Sequence, residues 1–212
     1  MNLTEFIQRV SPYTMTSIER ITALYYSLEY IRENNISGDI VECGVWRGGN
    51  IKGIIDYLHF HNMQDKDVWL FDTFEGMTAP DENDVDLNSN KAEDILDAVM
   101  CYASLDSVKE VLQQSQFPQN RIHYIVGDIL ETLKEEKNIP KTISLLRLDT
   151  DWYQSTKIEL EVLYPNLESY GVMIVDDYGH WQGSKKAVDE YFINTDIVFE
   201  KIDYTGIKMI KK

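Results

Sequence analysis

A chain of 212 residues with 20 basic against 36 acidic side chains, a formal charge of −16, is long enough for one well-buried domain and repels nucleic acid and anionic membranes. Its two cysteines, Cys43 and Cys101, support neither a disulfide framework nor a cysteine zinc site, and no apolar run reaches the roughly 18 residues of a membrane span. The N-terminal MNLTEFIQRV lacks a signal peptide's basic head and apolar centre, so the expectation is a cytoplasmic chain whose partner is a small molecule or a glycan.

From Thr16, TSIERITALYYSLEYIRENN places Ile18, Ile21, Leu24, Tyr25, Leu28 and Ile31 on one helical face, with Thr16 and Glu19 as a capping box. GDIVECGVWRGGN then reads as strand, glycine turn and the start of a helix running through IKGIIDYLHF, and DVWLFDTFEG as a second strand ending at Asp72. The polar stretch TAPDENDVDLNSNKAED reads as an acidic loop, either a solvated tip or an active-site lid. Beyond it come a helix over SLDSVKEVLQQS, a strand RIHYIVGD and a helix ILETLKEEKN.

Two apolar runs then end in acids. LLRLDTDWYQST carries Asp149 and Asp151, and VMIVDDYGHW carries Asp176 and Asp177, 27 residues beyond Asp149. Such runs read as buried parallel strands, and the spacing fits one βαβ unit of about 30 residues. A right-handed crossover brings both pairs to the carboxyl edge of the sheet, where open α/β sheets bind ligands. Four carboxylates in one crevice repel one another, which points to a divalent cation with a base beside it. The helices STKIELEVLYPNLESY and GSKKAVDEYF and a hairpin of DIVFEKI and GIKMIKK around Asp203–Gly206 complete the chain. The fold class expected is α/β, a mostly parallel sheet with helices on both faces and a C-terminal antiparallel hairpin.

The turn VECGVWRGG holds Gly44, Val45 and Gly49 but not the GxGxxG spacing of a dinucleotide fingerprint. An acid 23 residues beyond Gly49, Asp72 followed by Thr73, suits the ribose of a smaller nucleoside, and Gly127, Asp128 and Ile129 suit its base. Glycines at such turns and strand-end aspartates are also commonly structural. Taken in order on successive strands they favour S-adenosylmethionine, with Glu42 beside its amino-acid tail.

VECGVWRGG, DTFEG, LLRLDTDWYQST and VDDYGHWQGSKKAVDEYF resemble the macrocin O-methyltransferase (TylF-type) family over roughly residues 13–192. The resemblance implies a class I, Rossmann-like methyltransferase fold with a seven-stranded sheet, S-adenosylmethionine and Mg²⁺ as cofactors, and methylation of a sugar hydroxyl on a glycosylated natural product or surface-glycan precursor. Carried over, Asp149, Asp176 and Asp177 hold the metal, Asp149 also borders the cofactor, Asp151 is the base, and Tyr13, Thr14 and Met15 fold over the cofactor. His180 is the rival base. Trp152, Tyr153, Tyr178 and Trp181, with Gln182, are candidates to line the sugar site, core packing being the equal alternative. Asp151 with Gln154 also fits a helix cap.

The expected organisation is one methyltransferase domain over 1–212, with a helical cap over 1–37 and a lid over 77–105. Cap and lid near the crevice leave room for a homo-oligomer. The competing functions are a catechol-type methyltransferase with a flat aromatic acceptor, and a non-catalytic S-adenosylmethionine-binding partner protein.

Overall fold

The computed structural model describes all residues, Met1–Lys212. Five parallel strands, β1 (Asp39–Cys43), β2 (Val68–Asp72), β3 (Ile122–Val126), β4 (Ile143–Leu148) and β5 (Leu167–Val175), are extended by the antiparallel β6 (Glu200–Lys201) and β7 (Ile207–Ile210). The order across the sheet is β3-β2-β1-β4-β5-β7-β6, with β7 antiparallel to β5. This is the mostly parallel sheet closed by a hairpin that the strand pattern implies.

The period of two in the strands divides the core into two layers. Ile40, Leu145, Val172 and Ile174 face one layer, built with α1 (Leu3–Val10), α2 (Ile18–Glu33), α3 (Gly49–Phe60) and α5 (Leu105–Leu112). Val41, Cys43, Leu146, Leu148, Met173 and Val175 face the other, with α6 (Ile129–Thr132), α7 (Tyr153–Val162) and α8 (Gln182–Phe192). A further helix, α4 (Ala92–Val99), sits in the segment between β2 and α5.

Local readings differ from the structure at several points. α1 is an additional helix, closed by a capping box between Asn2 and Glu5. α2 is capped by Ser17, which accepts the Arg20 amide, and not by Thr16, whose hydroxyl bonds Thr14 instead. The helix expected over ILETLKEEKN is one four-residue turn, α6, followed by a 3₁₀ turn at Glu136–Asn138. α7 stops at Val162, because Pro165 cannot extend it; residues 164–166 form a 3₁₀ turn and Leu167 already begins β5.

Candidate active site

The tips of the five parallel strands are held in step by four hydrogen bonds that continue the ladder past the strand ends. Gly44 N–H donates to the Phe71 carbonyl at 2.8 Å, Gly127 N–H to Asp72 at 3.0 Å, Asp149 N–H to Cys43 at 2.8 Å and Asp176 N–H to Leu148 at 2.9 Å. Gly44 adopts φ +79°, and a Cβ there would collide with the Asp149 carbonyl. The glycine is what lets the first turn lie against the acid-bearing loop after β4. Asp72 ties down the same turn: one carboxylate oxygen accepts the amides of Val45 (2.7 Å) and Trp46 (3.0 Å), the other that of Phe74 (2.7 Å).

β5 ends at Val175, so Asp176 and Asp177 lie beyond the regular pleat and no longer have to face opposite ways. One oxygen from each of Asp149, Asp176 and Asp177 falls within 4.8 Å of the others. Two guanidinium groups already meet this cluster, which the electrostatic argument from sequence lacked. Arg147, 2 % exposed, donates to Glu42 at 2.8 Å, to Asp149 at 2.7 Å and to Asp176 at 2.5 Å. Glu42 and Arg147 are register partners across β1 and β4, on the α2 side of the sheet. Arg20, from the first turn of α2, bonds Asp176 and reaches Asp203 of the hairpin turn at 2.9 Å.

Four carboxylates, those of Glu42, Asp149, Asp176 and Asp203, thus bond two arginines, and Asp151 and Asp177 adjoin them with no arginine bond of their own. Burial pushes the Asp151 carboxyl up to about 7, with the Asp149 charge adding to it. Burial likewise raises Asp176 to about 6 and Glu42 to about 8 against the pull of Arg147, and holds Asp177 well above the usual range, with Asp151 adding. The acids remain in excess of the cations. An all-oxygen set of this kind suits a hard divalent ion such as Mg²⁺.

Asp151 adopts the left-handed conformation, φ +65°, uncommon for a residue with a side chain. Its amide donates to Asp177 at 3.3 Å. It does not cap α7: the amide of Tyr153 is received by Asp84, at 2.7 Å, and Gln154 reaches Asp81 at 3.0 Å. The capping reading of Asp151 and Gln154 is thereby corrected. A left-handed turn aims the Asp151 side chain away from the helix start and toward Asp177.

Two adjoining cavities open at the strand tips. The first, ≈ 260 Å³, is lined by Met15, Gly44, Val45, Asp72, Thr73, Gly127, Ile129, Asp149, Asp151, Trp152, Asp176 and Asp177 among others. The second, ≈ 440 Å³, is lined by His180, Trp181 and Tyr204, by apolar Met77, Val99 and Met100, and again by Met15, Asp151 and Asp177. Asp151 and Asp177 stand in the wall common to both.

The candidates Glu42, Gly49, Asp128, Tyr153 and Tyr178 lie outside both linings. Glu42 is buried beneath the first cavity on Arg147, Gly49 packs under the Tyr13 backbone, and Asp128 caps α6 through the Leu130 amide. Tyr153 bonds Glu190 and Tyr178 bonds Asp189 through their hydroxyls. Trp152 and Trp181 form an edge-on pair at 4.9 Å that packs with Ala92 and the apolar face of α4. His180 lies edge-on to Trp181 and Tyr204, and its Nδ1 is buried with no partner.

Sequence reading missed Arg20, Arg147, Trp46, Asn50, Cys101 and Tyr204 in these walls and floors. Arg147 left a signal, a lone cation in the apolar run ISLLRL. Arg20 left none, being an ordinary polar position on an amphipathic helix.

Comparison with known proteins agrees with this architecture. Residues 9–211 match the family model described as macrocin-O-methyltransferase (TylF). Demethyldecarbamoylnovobiocin O-methyltransferase of Streptomyces niveus is 32 % identical over 197 residues, covering 92 % of this chain and 74 % of the relative. Mycinamicin III 3''-O-methyltransferase of Micromonospora griseorubida is 28 % identical over 184 residues, covering 84 % and 70 %. The solved structure of the O-methyltransferase NovP superposes with a TM-score of 0.83 at 28 % identity, covering 94 % of this chain and 82 % of that one. The chain belongs to the macrocin O-methyltransferase (TylF) family and is an O-methyltransferase built on the class I fold.

Proposed function

We propose that the chain transfers a methyl group from S-adenosylmethionine to a hydroxyl of a sugar carried on a natural-product scaffold, with Mg²⁺ held by Asp149, Asp176 and Asp177 and Asp151 as the base. The observation that carries this reading is the common wall: one cavity bordered by the glycine turn, the other by an apolar mouth, meeting at Asp151 and Asp177. The cofactor reading is supported by Gly44, whose missing side chain keeps the floor open beside Asp149, and by the polar groups of Thr14, Thr16, Asn50 and Thr73 around it. The metal reading is supported by the three converging carboxylates and by the surplus of acid over arginine.

Methyl transfer forms a C–O bond as a C–S bond breaks, and the hydroxyl proton has to leave. S-adenosylmethionine supplies the electrophilic methyl group, and Mg²⁺ supplies positive charge that lowers the pKa of the acceptor hydroxyl. Asp151 receives the proton on its carboxylate, and burial, the largest cause of its raised pKa, matches it to that task better than an ordinary aspartate near 3.9. Arg147 and Arg20 hold Asp149 and Asp176 in place, which preserves the geometry on which an in-line reaction depends. Met77, Val99, Met100 and Tyr204 give the second cavity an apolar mouth, suited to a sugar already on an apolar scaffold, and the charge of −16 disfavours a diphosphate-linked sugar. The acceptors named for the relatives, a novobiocin precursor and mycinamicin III, point the same way.

A panel of glycosides, nucleotide-linked sugars and catechols, assayed with Mg²⁺, tests the acceptor class. Glycoside turnover is expected, and catechol turnover with none on glycosides would overturn it. Chelation should take turnover to background while calorimetry still records cofactor binding; an unchanged rate in metal-free buffer would remove the metal from the mechanism.

A further inference from the structure

α7 starts with none of its own side chains capping it: Trp152 occupies the capping position and makes no side-chain bond to the first turn. The donor left open, the amide of Tyr153, is taken by Asp84 at 2.7 Å, from a segment 69 residues earlier in the chain. Asp84 is 1 % exposed, and its second oxygen receives the Asp81 amide at 2.7 Å. Gly183 of α8 closes over the same point: a Cβ there would collide with the Asp84 carboxylate and stand 3.0 Å from the Tyr153 nitrogen. Three segments, the loop after β2, the start of α7 and the start of α8, therefore meet on one carboxylate.

That meeting point is two residues from Asp151. The chain at Asp151 is in the left-handed region, a conformation that persists only where its surroundings enforce it. Around it the same loop supplies further ties: the Trp152 indole donates to the Thr78 carbonyl at 2.9 Å, and the Gln182 amide donates to Val85 at 2.8 Å. An ordinary helix cap sits immediately ahead of its own helix. Here the capping position is left to a distant loop, which ties the geometry of the β4–α7 turn to the seating of that loop.

We propose that Asp84 is a positioning residue for the methyl transfer: by capping α7 from the loop after β2, it fixes the turn that aims Asp151 into the wall between the two cavities. The effect on rate rests on Asp151 being the base. Asp84 touches neither cavity, so its loss acts on kcat and leaves cofactor affinity near its starting value. A displacement of the base by about 1 Å costs on the order of 10²-fold in rate.

The test compares Asp84→Ala, Asp84→Asn and Asn83→Ala in steady-state kinetics, cofactor calorimetry and amide hydrogen exchange. Asn83, in the same loop, bonds Asp81 and Lys186 of α8 without reaching Tyr153, so its variant loosens the loop and spares the cap. The expected pattern is a kcat loss of about 10²-fold for Asp84→Ala, with cofactor affinity within a few-fold and faster exchange at Tyr153. Asp84→Asn, which keeps one acceptor, should recover most of kcat, and Asn83→Ala should keep it.

Full kcat in Asp84→Ala, or an equal loss in Asn83→Ala, would overturn the proposal. If Asp84→Ala does not fold, exchange on the unaltered protein decides: the Tyr153 amide must open together with those of residues 81–84, and independent opening overturns it. Asp151→Asn run in parallel separates the two readings. Full activity in that variant sinks the base assignment, while the exchange data still judge the cap.

Discussion

The end of β2 and the turns after β4 and β5 sit on the same sheet edge, yet treat their carboxylates in opposite ways. Asp72 accepts three backbone amides at 2.7–3.0 Å and so stitches the glycine turn to β2. Asp176 and Asp177 are buried and Asp151 is half-buried, and in each the loss of water, with neighbouring carboxylates adding, pushes the carboxyl toward holding a proton even where Arg147 opposes it. The first gives its oxygens to backbone amides; the others are destabilised as anions until a cation or a proton arrives. A strand-end aspartate is thus identified by what solvates it, and sequence position alone does not separate the two kinds.

Four measurements break or sharpen that contrast. Asp151→Asn, which keeps the shape and removes the base, should lower kcat by about 10²–10⁴-fold while leaving metal affinity within a few-fold in calorimetry; retained activity would place Asp151 among the structural carboxylates. Arg147→Met strands Glu42 and withdraws a partner from Asp149 and Asp176, so denaturant unfolding should show a loss of about 3–5 kcal/mol. A loss below about 1 kcal/mol, the scale of an exposed pair, would mean that the acids do not lean on it.

Asp72→Ala leaves the amides of Val45, Trp46 and Phe74 without an acceptor. It should cost about 1–3 kcal/mol in stability and weaken cofactor binding more than metal binding, and calorimetry showing the reverse order would misplace the cofactor end of the edge.

The smallest effect is a slope with pH. Glu42, Asp151 and Asp176 have folded pKa values of about 8, 7 and 6, above the unfolded values near 4, so the folded chain binds more protons. Their contribution is complete below about pH 4, falls progressively as pH rises from there, and is lost once pH has passed the folded values of about 6 to 8. The metal-free protein should melt lower at pH 8 than at pH 6, by about 2–4 °C for each kcal/mol lost. Divalent ion should flatten the slope and Asp151→Asn should remove part of it; a slope indifferent to both would assign it to the net charge.

The sheet was legible because β1, β2, β4 and β5 are apolar runs ending in a glycine or an acid, a pattern in which covalent order and spatial order coincide. Asp149, Asp151, Asp176 and Asp177 were legible for the same reason. α1 escaped notice although Asn2 and Glu5 form its capping box and Leu3, Phe6, Ile7 and Val10 recur at helical spacing, since two turns of helix are short beside the longer pattern that follows. Local motifs misled where distant partners intervened: Thr16 and Glu19 gave way to Ser17, and the apparent Asp151–Gln154 cap gave way to Asp84 and Asp81. Arg20 lies 156 residues from Asp176, a separation at which no spacing rule operates. Roles assigned to Trp152 and Trp181 illustrate a further limit, because an indole packed on α4 and an indole bordering a cavity share one sequence signature.

The left-handed backbone at Asp151 also decides which side chains the position can accept. Glycine enters that region freely and aspartate and asparagine at a modest cost, whereas β-branched and bulky residues do so at a larger one. Asp151→Gly therefore relaxes the turn instead of straining it and leaves a carboxylate-sized space against Asp177 and Trp181. A small external acid such as formate has the shape to enter that space and return part of the lost rate in a concentration-dependent way. Chemical complementation of this kind would turn an awkward torsion into a handle for switching the transferase on from outside.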